Sequence, residues 1–211
     1  MLKTDFGRDS VLIPMPCPGP SEEDYVGCEH DRNGSKRVLW IGRICEVKRP
    51  DRLLDLAEAC PKLHFDVVGP EADSEYARGV CRRAKTIPNV MLHGPAARES
   101  VPEFYKKARV MCCTSDFEGF PNTFLEAWSY GLPIVSTFDP DNVIADKGLG
   151  RVGKSVPELA AGIRALLDSP KHWLEASQSA RQYYLENHEM ETAMGRFEQI
   201  FLDAVGIIKV S

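Results

Sequence analysis

From Arg37 onward the chain alternates short, almost wholly apolar runs with stretches in which apolar residues return every three or four positions. The runs are RVLWIG at 37–42, LHFDVVG at 63–69, NVMLHG at 89–94, RVMCCTS at 109–115 and PIVST at 133–137. Each has the length of a strand and is too apolar to leave one face in water. Between them, PDRLLDLAEAC sets Leu53, Leu54, Leu56, Ala57 and Cys60 on one helical face. SEYARGVCRRAK, ESVPEFYKKA and NTFLEAWSYG read as further helices. The alternation predicts an α/β protein, a Rossmann-like doubly wound parallel sheet with helices on both faces.

The flanks differ. SVPELAAGIRALLD begins with Ser155 and Glu158 at capping-box spacing, and KHWLEASQSARQYYLENH predicts a second long helix. A last helix carries Met190, Met194, Phe197, Phe201 and Ala204 in one stripe that needs a packing partner. Upstream, VLIPMPCPGP reads as a short strand running into prolines, followed by a polar, turn-rich stretch to residue 36. The expected organisation is the end of another domain plus a linker at 1–36, the main domain at 37–188 and a final helix at 189–211.

Composition narrows the function. The 211 residues are 43% hydrophobic and 27% charged, with a formal net charge of -5, which argues against a basic face for nucleic acid. No run of 18 apolar residues predicts a membrane span, and MLKTDFGRDS lacks the apolar core of a secretory signal. Seven cysteines without a CxxC pair predict free thiols in a reducing, cytoplasmic setting. Cys28 and His30 lack a second ligand pair at metal spacing, so no zinc site is expected from them.

In a doubly wound sheet the loops after the strands carry the ligand. The first such loop, WIGRICEVKRP, has Gly42, where the backbone can turn and leave room, and then Arg43 and Lys48. A guanidinium fork and an ammonium point charge at one strand tip suit a diphosphate. GxGxxG is absent, and HFDVVG ends in glycine where a dinucleotide enzyme wants an acid, so a dehydrogenase is disfavoured. The second loop is DFEGFPNTFLEAWSYG, from Asp116 to Gly131. Its Gly119-Phe120-Pro121-Asn122 turn leads into a helix whose first amides attract anions, with Asn122 as the expected N-cap. Glu126 lies four residues on, toward that N-terminus, and a carboxylate there suits two sugar hydroxyls better than a phosphate. Glu118, ahead of the turn, can reach a second polyol. The bland alternative is a solvated Glu118 and a Glu126 that caps the helix.

These stretches resemble the C-terminal, nucleotide-sugar-binding domain of retaining glycosyltransferases of the GT-B fold, group 1 (family four). The similar segments are VLWIGRICEVKRPDRLLDLAEA, HFDVVGP, the run from Asn89 to Thr137 and AGIRALLDSPKHWLEASQSARQYYLEN, which cover most of residues 37–188 in order. The resemblance implies a sugar transfer, of hexosyltransferase type, from a nucleotide diphosphate sugar with retained anomeric configuration. It implies no metal and no cofactor beyond the donor. Arg43 and Lys48 would hold the diphosphate, Glu126 the ribose, and Glu118 would lie near the donor sugar. The amides of Gly119 through Thr123 (Gly119, Phe120, Pro121, Asn122 and Thr123) would contact sugar and phosphate, and backbone at Leu92 and His93 would border the base. Arg43, Lys48 and Glu118 are the expected catalytic set. The family needs an N-terminal domain with the acceptor site, so the expected partner is that domain, in cis or as a separate chain. The acceptor would be a glycan or lipid-linked, with peripheral membrane attachment set by the other half. The rival reading is a non-catalytic module that senses nucleotide-sugars or recruits a partner.

Other candidates are turned down. Asp139-Pro140-Asp141 resembles a metal-binding Asp-x-Asp but reads as a turn, because proline fixes φ at its centre. Cys112 and Cys113 read as core on opposite faces of one strand. His93 can serve as a base near pH 7 but is expected at a strand end. His64, His172 and His188 have no functional context, and Tyr183 and Tyr184 read as helix packing.

Overall fold

A computed structural model describes residues 11–22, 25 and 36–204. Cys28 and His30 lie outside the described residues, as does most of the 1–36 stretch expected as a domain end plus linker. The strands are β1 (Arg37–Ile41), β2 (His64–Val68), β3 (Val90–Gly94), β4 (Val110–Cys113), β5 (Ile134–Ser136) and β6 (Gly150–Val152). They form one sheet in the order β3-β2-β1-β4-β5-β6, every pair parallel. The helices are α1 (Pro50–Ala59), α2 (Glu75–Ala84), α3 (Val101–Lys107), α4 (Asn122–Ser129), α5 (Val143–Lys147), α6 (Val156–Leu167), α7 (Pro170–Asn187) and α8 (Met190–Ala204).

The apolar runs are buried on both faces because successive residues of a strand point opposite ways. Val38 and Trp40 pack with Leu53 and Leu54 of α1 and Ile163 of α6. Leu39 packs on the other face with Tyr105 of α3 and with Phe124, Leu125 and Trp128 of α4. Cys112 and Cys113 divide between the same two faces, as expected. Helix α7 spans both layers, with Trp173 and Ala176 on one side and Ala180 and Tyr184 on the other.

Three expectations change. A sixth strand, Gly150–Val152, closes the edge; at three residues it is too short to show a pattern. Residues 11–20 are not a strand: they run as irregular backbone along α7, where Cys17 N donates to His188 O and the Tyr184 hydroxyl donates to Cys17 O. Prolines at 14, 16, 18 and 20 lack the N–H a strand needs. At α6, Ser155 Oγ accepts from Glu158 N, but Glu158 Oε2 accepts from Lys154 N, one residue before the position a capping box uses.

The strand order reverses between β1 and β4. Their carboxyl ends therefore splay apart into a crevice, the place where open α/β sheets take ligands. The two loops singled out in the sequence leave from those two strands.

Candidate functional site

The loops after β1 and β4 are tied to one another. Trp40 Nε1 donates to Thr114 Oγ1, which donates to Lys48 O, both at 2.9 Å. Asp116 N donates to Val47 O at 3.0 Å. Arg49 and Arg52 both donate to the Asp116 carboxylate, and Arg49 also donates to Asp51. Burial pushes the Asp51 carboxyl up, but hydrogen bonds from Arg49 and Tyr76 outweigh it and bring it down to about 2. This network fixes the loop that carries Arg43 and Lys48 against the loop that carries Glu118.

Gly42, Arg43, Lys48, Glu118 and Thr123 line one cavity of about 180 Å³ at the crevice. Within it Lys48 Nζ and Glu118 Oε1 form an ion pair at 2.5 Å, and Ser115 Oγ donates to the same oxygen at 2.6 Å. Glu118 is thus not a solvated surface acid. Arg43 is exposed and forms no ion pair with a described carboxylate. A Cβ built on Gly42 would meet only the Trp40 ring, at 3.5 Å, and one on Gly119 would meet nothing within 4 Å. The protein's own packing therefore does not require glycine at either position.

Asn122 is not the N-cap of α4. Pro121 holds that position, Asn122 is the first helical residue, and no side chain caps the helix. Among the described residues the amides of Gly119, Phe120, Asn122 and Thr123 donate to no protein acceptor. Pro121 itself has no N–H to offer. The turn thus presents unpaired donors at the positive end of a helix.

Glu126 sits in a neighbouring cavity of about 480 Å³, and Ile41 lines both this cavity and the first. It caps nothing. Its Oε2 accepts from the Tyr105 hydroxyl at 2.6 Å, and Tyr105 stacks on Tyr130 with ring centroids 5.5 Å apart. Burial, then the Glu126 charge, push the Tyr105 phenol well above its usual range. Cys17, Pro18 and Gly19 form part of the wall, and burial together with Glu126 raises the Cys17 thiol to about 11.

The loop after β3 also reaches the site. Ala96 and Arg98 line the Glu126 cavity. Leu92 packs on the core, while His93 Nε2 pairs with Asp66 Oδ1 at 2.7 Å and stands edge-on to Phe104. Tyr105, Ser115, Ala96, Arg98 and the 17–19 segment were not singled out in the sequence. Only Ser115, at the end of an apolar run, carried any signal there.

Asp139 accepts from the amides of Ile144 and Ala145, so the Asp-x-Asp sequence is a turn that caps α5. Among the described residues no group of three or more His, Cys, Asp or Glu side chains gathers as a metal site would require. No helix among them is long and apolar enough to cross a membrane.

The chain is 33% identical over 112 residues to a lipopolysaccharide 1,6-galactosyltransferase of Salmonella typhimurium, a match covering 51% of this chain and 31% of that protein. It is 26% identical over 203 residues to the GDP-mannose:cellobiosyl-diphosphopolyprenol alpha-mannosyltransferase of Xanthomonas oryzae pv. oryzae, covering 91% of this chain and 53% of the other. The chain therefore spans about a third to a half of these relatives. In fold it is similar to the C-terminal domain of a glycosyl transferase group 1 family protein, LpcC, of Francisella tularensis, with TM-score 0.67, 18% identity, and coverage of 82% of this chain and 100% of that one. It is also similar to HepE of Anabaena in complex with UDP, with TM-score 0.71, 17% identity, and coverage of 80% and 49%. The fold is that of the C-terminal half of a GT-B glycosyltransferase. The model for the glycosyl transferases group 1 family matches residues 29–183, and the chain belongs to that family.

Proposed function

We propose that this chain is the donor-binding half of a retaining glycosyltransferase that moves a sugar, of hexosyl type, from a nucleotide diphosphate sugar to a glycan or lipid-linked acceptor. The observation that carries the reading is the convergence, in a family member, of Arg43, Lys48 and Glu118 on one cavity at the strand-order switch, with Glu126 in the adjoining one. Arg43 and Lys48 hold the diphosphate, and the unpaired amides from Gly119 to Thr123 meet its oxygens and those of the sugar. Glu126 accepts from ribose through the oxygen that Tyr105 leaves open. Glu118 faces the donor sugar. Backbone at Leu92 and His93, at the end of β3, and Ala96 and Arg98 in the loop that follows border the base.

As the glycosidic bond breaks, negative charge builds on the leaving diphosphate. Cations and amides already fixed in place stabilise that charge more than they stabilise the intact donor, which is the source of the rate enhancement. In this reading the chemistry needs no metal. Lys48 must exchange Glu118 for phosphate as the donor enters, which leaves Glu118 free for a sugar hydroxyl. The acceptor site belongs to an N-terminal GT-B domain, supplied in cis or by a separate chain. This chain alone binds donor without turnover.

The test is a thermal-shift screen of nucleoside diphosphates, followed by calorimetry on the best ligand, because a ligand that binds the folded form raises its melting temperature. Glu126→Ala is expected to cost the ribonucleoside diphosphate about tenfold in affinity or more. The matching 2′,3′-dideoxy compound should lose far less. Equal losses for both would remove the ribose role.

A further inference from the structure

A third cavity, of about 540 Å³, lies at the opposite end of the sheet. Lys36 and Arg109 directly precede β1 and β4, and Leu63 directly precedes β2, so this pocket opens at the amino ends of the strands. It is separated from the donor crevice by the length of β1, roughly 16 Å.

Among the described residues four cations line it, Lys36, Lys62, Arg109 and Arg164, against one carboxylate, Asp168. This is a local inversion of sign on a chain of net charge -5. Several cations elsewhere sit with acids: Arg37 with Asp66, Arg52 with Asp116, Arg78 and Arg82 with Glu75, Arg83 with Asp55 and Glu58. Lys36, Lys62 and Arg164 form no ion pair with a described carboxylate. Arg109 is held in place before any ligand arrives. It is 8% exposed, its guanidinium lies 3.5 Å over the Trp173 ring, and its carbonyl accepts from Trp173 Nε1 at 2.7 Å. The surface between these charges is apolar, with Ala59 exposed and Leu63 and Leu167 half-buried over the core residues Cys60 and Ile163. Like charges gathered over apolar surface repel one another, and a counter-anion that also covers that surface relieves both costs.

We propose that this cavity binds an organic phosphate with an apolar body, independently of the donor site. The phosphate sits among Arg109, Arg164, Lys36 and Lys62, where a guanidinium fork and ammonium charges match its oxygens. The hydrocarbon part covers Ala59, Leu63 and Leu167. Such a ligand can be a soluble phosphorylated amphiphile or the phosphate headgroup of a lipid in a bilayer.

The experiment is calorimetric titration of the full chain with dodecyl phosphate below its micelle concentration. One saturable site is expected, with inorganic phosphate binding at least about tenfold more weakly. Lys62 and Arg164 are exposed, so Lys62→Glu/Arg164→Glu leaves packing intact. That double variant is expected to lose about tenfold or more in dodecyl phosphate affinity while keeping its melting temperature and its nucleoside diphosphate binding. Cosedimentation with phosphatidylglycerol vesicles, abolished in the double variant, assigns the ligand to a bilayer. Tight binding of dodecyl phosphate without cosedimentation assigns a soluble one. Absence of saturable binding, equal affinity in the double variant, or dodecyl phosphate binding no tighter than inorganic phosphate overturns the proposal.

Discussion

The Tyr105 hydroxyl donates to Glu126 Oε2 at 2.6 Å, across 21 residues of sequence and between two helices. That bond fixes the carboxylate and leaves Oε1 for a ligand. Tyr105 is buried and stacked on Tyr130, so it holds Glu126 without needing to touch the ligand. Tyr105→Phe keeps the ring and removes the hydroxyl. It is expected to weaken ribonucleoside diphosphate binding by about 1 kcal/mol, roughly fivefold, and to spare the 2′,3′-dideoxy analogue. Calorimetry with both ligands checks this; a uniform loss would show that Tyr105 supports only the fold.

How much of this was legible in the sequence follows from the range of each interaction. The apolar runs at 37–42 and 109–115 have no polar alternation, which a parallel strand buried on both faces demands, and both appear as strands at the centre of the sheet. The loops that follow them were therefore placeable, and with them Arg43, Lys48 and Glu118. The three-residue β6 was not, because three residues contain no period. The Lys48–Glu118 pair joins positions 70 apart, and Tyr105–Glu126 joins two helices; neither spacing is a local signal. Asn122 has the residue type of an N-cap, yet the proline before it already has extended backbone, φ -67 and ψ 125, and takes the position instead. The basic cavity is assembled from four separate segments, at Lys36, Lys62, Arg109 and Arg164, and no window of sequence contains it.

Two glycines at the crevice separate fold from function. Gly69 has φ +141, and a Cβ there would stand 1.9 Å from Gly42 O, so the backbones of residues 69 and 42 touch. Gly69→Ala is expected to lower stability by about 2 kcal/mol or more, read as a fall in the denaturation midpoint. Gly42→Ala meets only ordinary contact with Trp40, so its melting temperature should stay close to that of the parent. Its added methyl intrudes on the cavity shared with Arg43 and Lys48, and nucleoside diphosphate affinity should drop by several-fold. A Gly42→Ala protein that binds normally would show that the glycine leaves no room a ligand uses.

His188 makes stability depend on pH. It is 3% exposed; its Nδ1 lies 2.9 Å from Met15 O, which can only accept, so that nitrogen carries the hydrogen and Nε2 is left buried without a partner among the described residues. Burial lowers the imidazole pKa, partly opposed by the bond to Met15. The unfolded chain therefore takes up a proton near pH 6.5, while the folded chain resists it to lower pH. The contribution is present above pH 6.5 and lost as pH falls below it, at no more than about 1.4 kcal/mol per pH unit. His188→Gln should flatten the change in chemical denaturation midpoint between pH 7.5 and 5.5. An unchanged slope in that variant would place the dependence on other groups.

Lys48 and Glu118 hold each other at 2.5 Å in the cavity assigned to the donor, so each competes with the ligand for its partner. This competition gives the two truncations opposite signs. Lys48→Met removes a phosphate partner and is expected to weaken nucleoside diphosphate binding by about tenfold. It should also leave Glu118 held only by Ser115. Glu118→Gln releases the ammonium from its carboxylate and removes a negative charge facing the diphosphate. Nucleoside diphosphate affinity should then stay level or rise by a few-fold. The same change withdraws a charged acceptor from the donor sugar, so the added affinity of the full nucleotide sugar over the bare diphosphate should shrink. Calorimetry on both variants with both ligands measures the four quantities directly. A Glu118→Gln protein that loses nucleoside diphosphate and nucleotide sugar binding equally would mean that the carboxylate serves to position Lys48 rather than to meet the sugar.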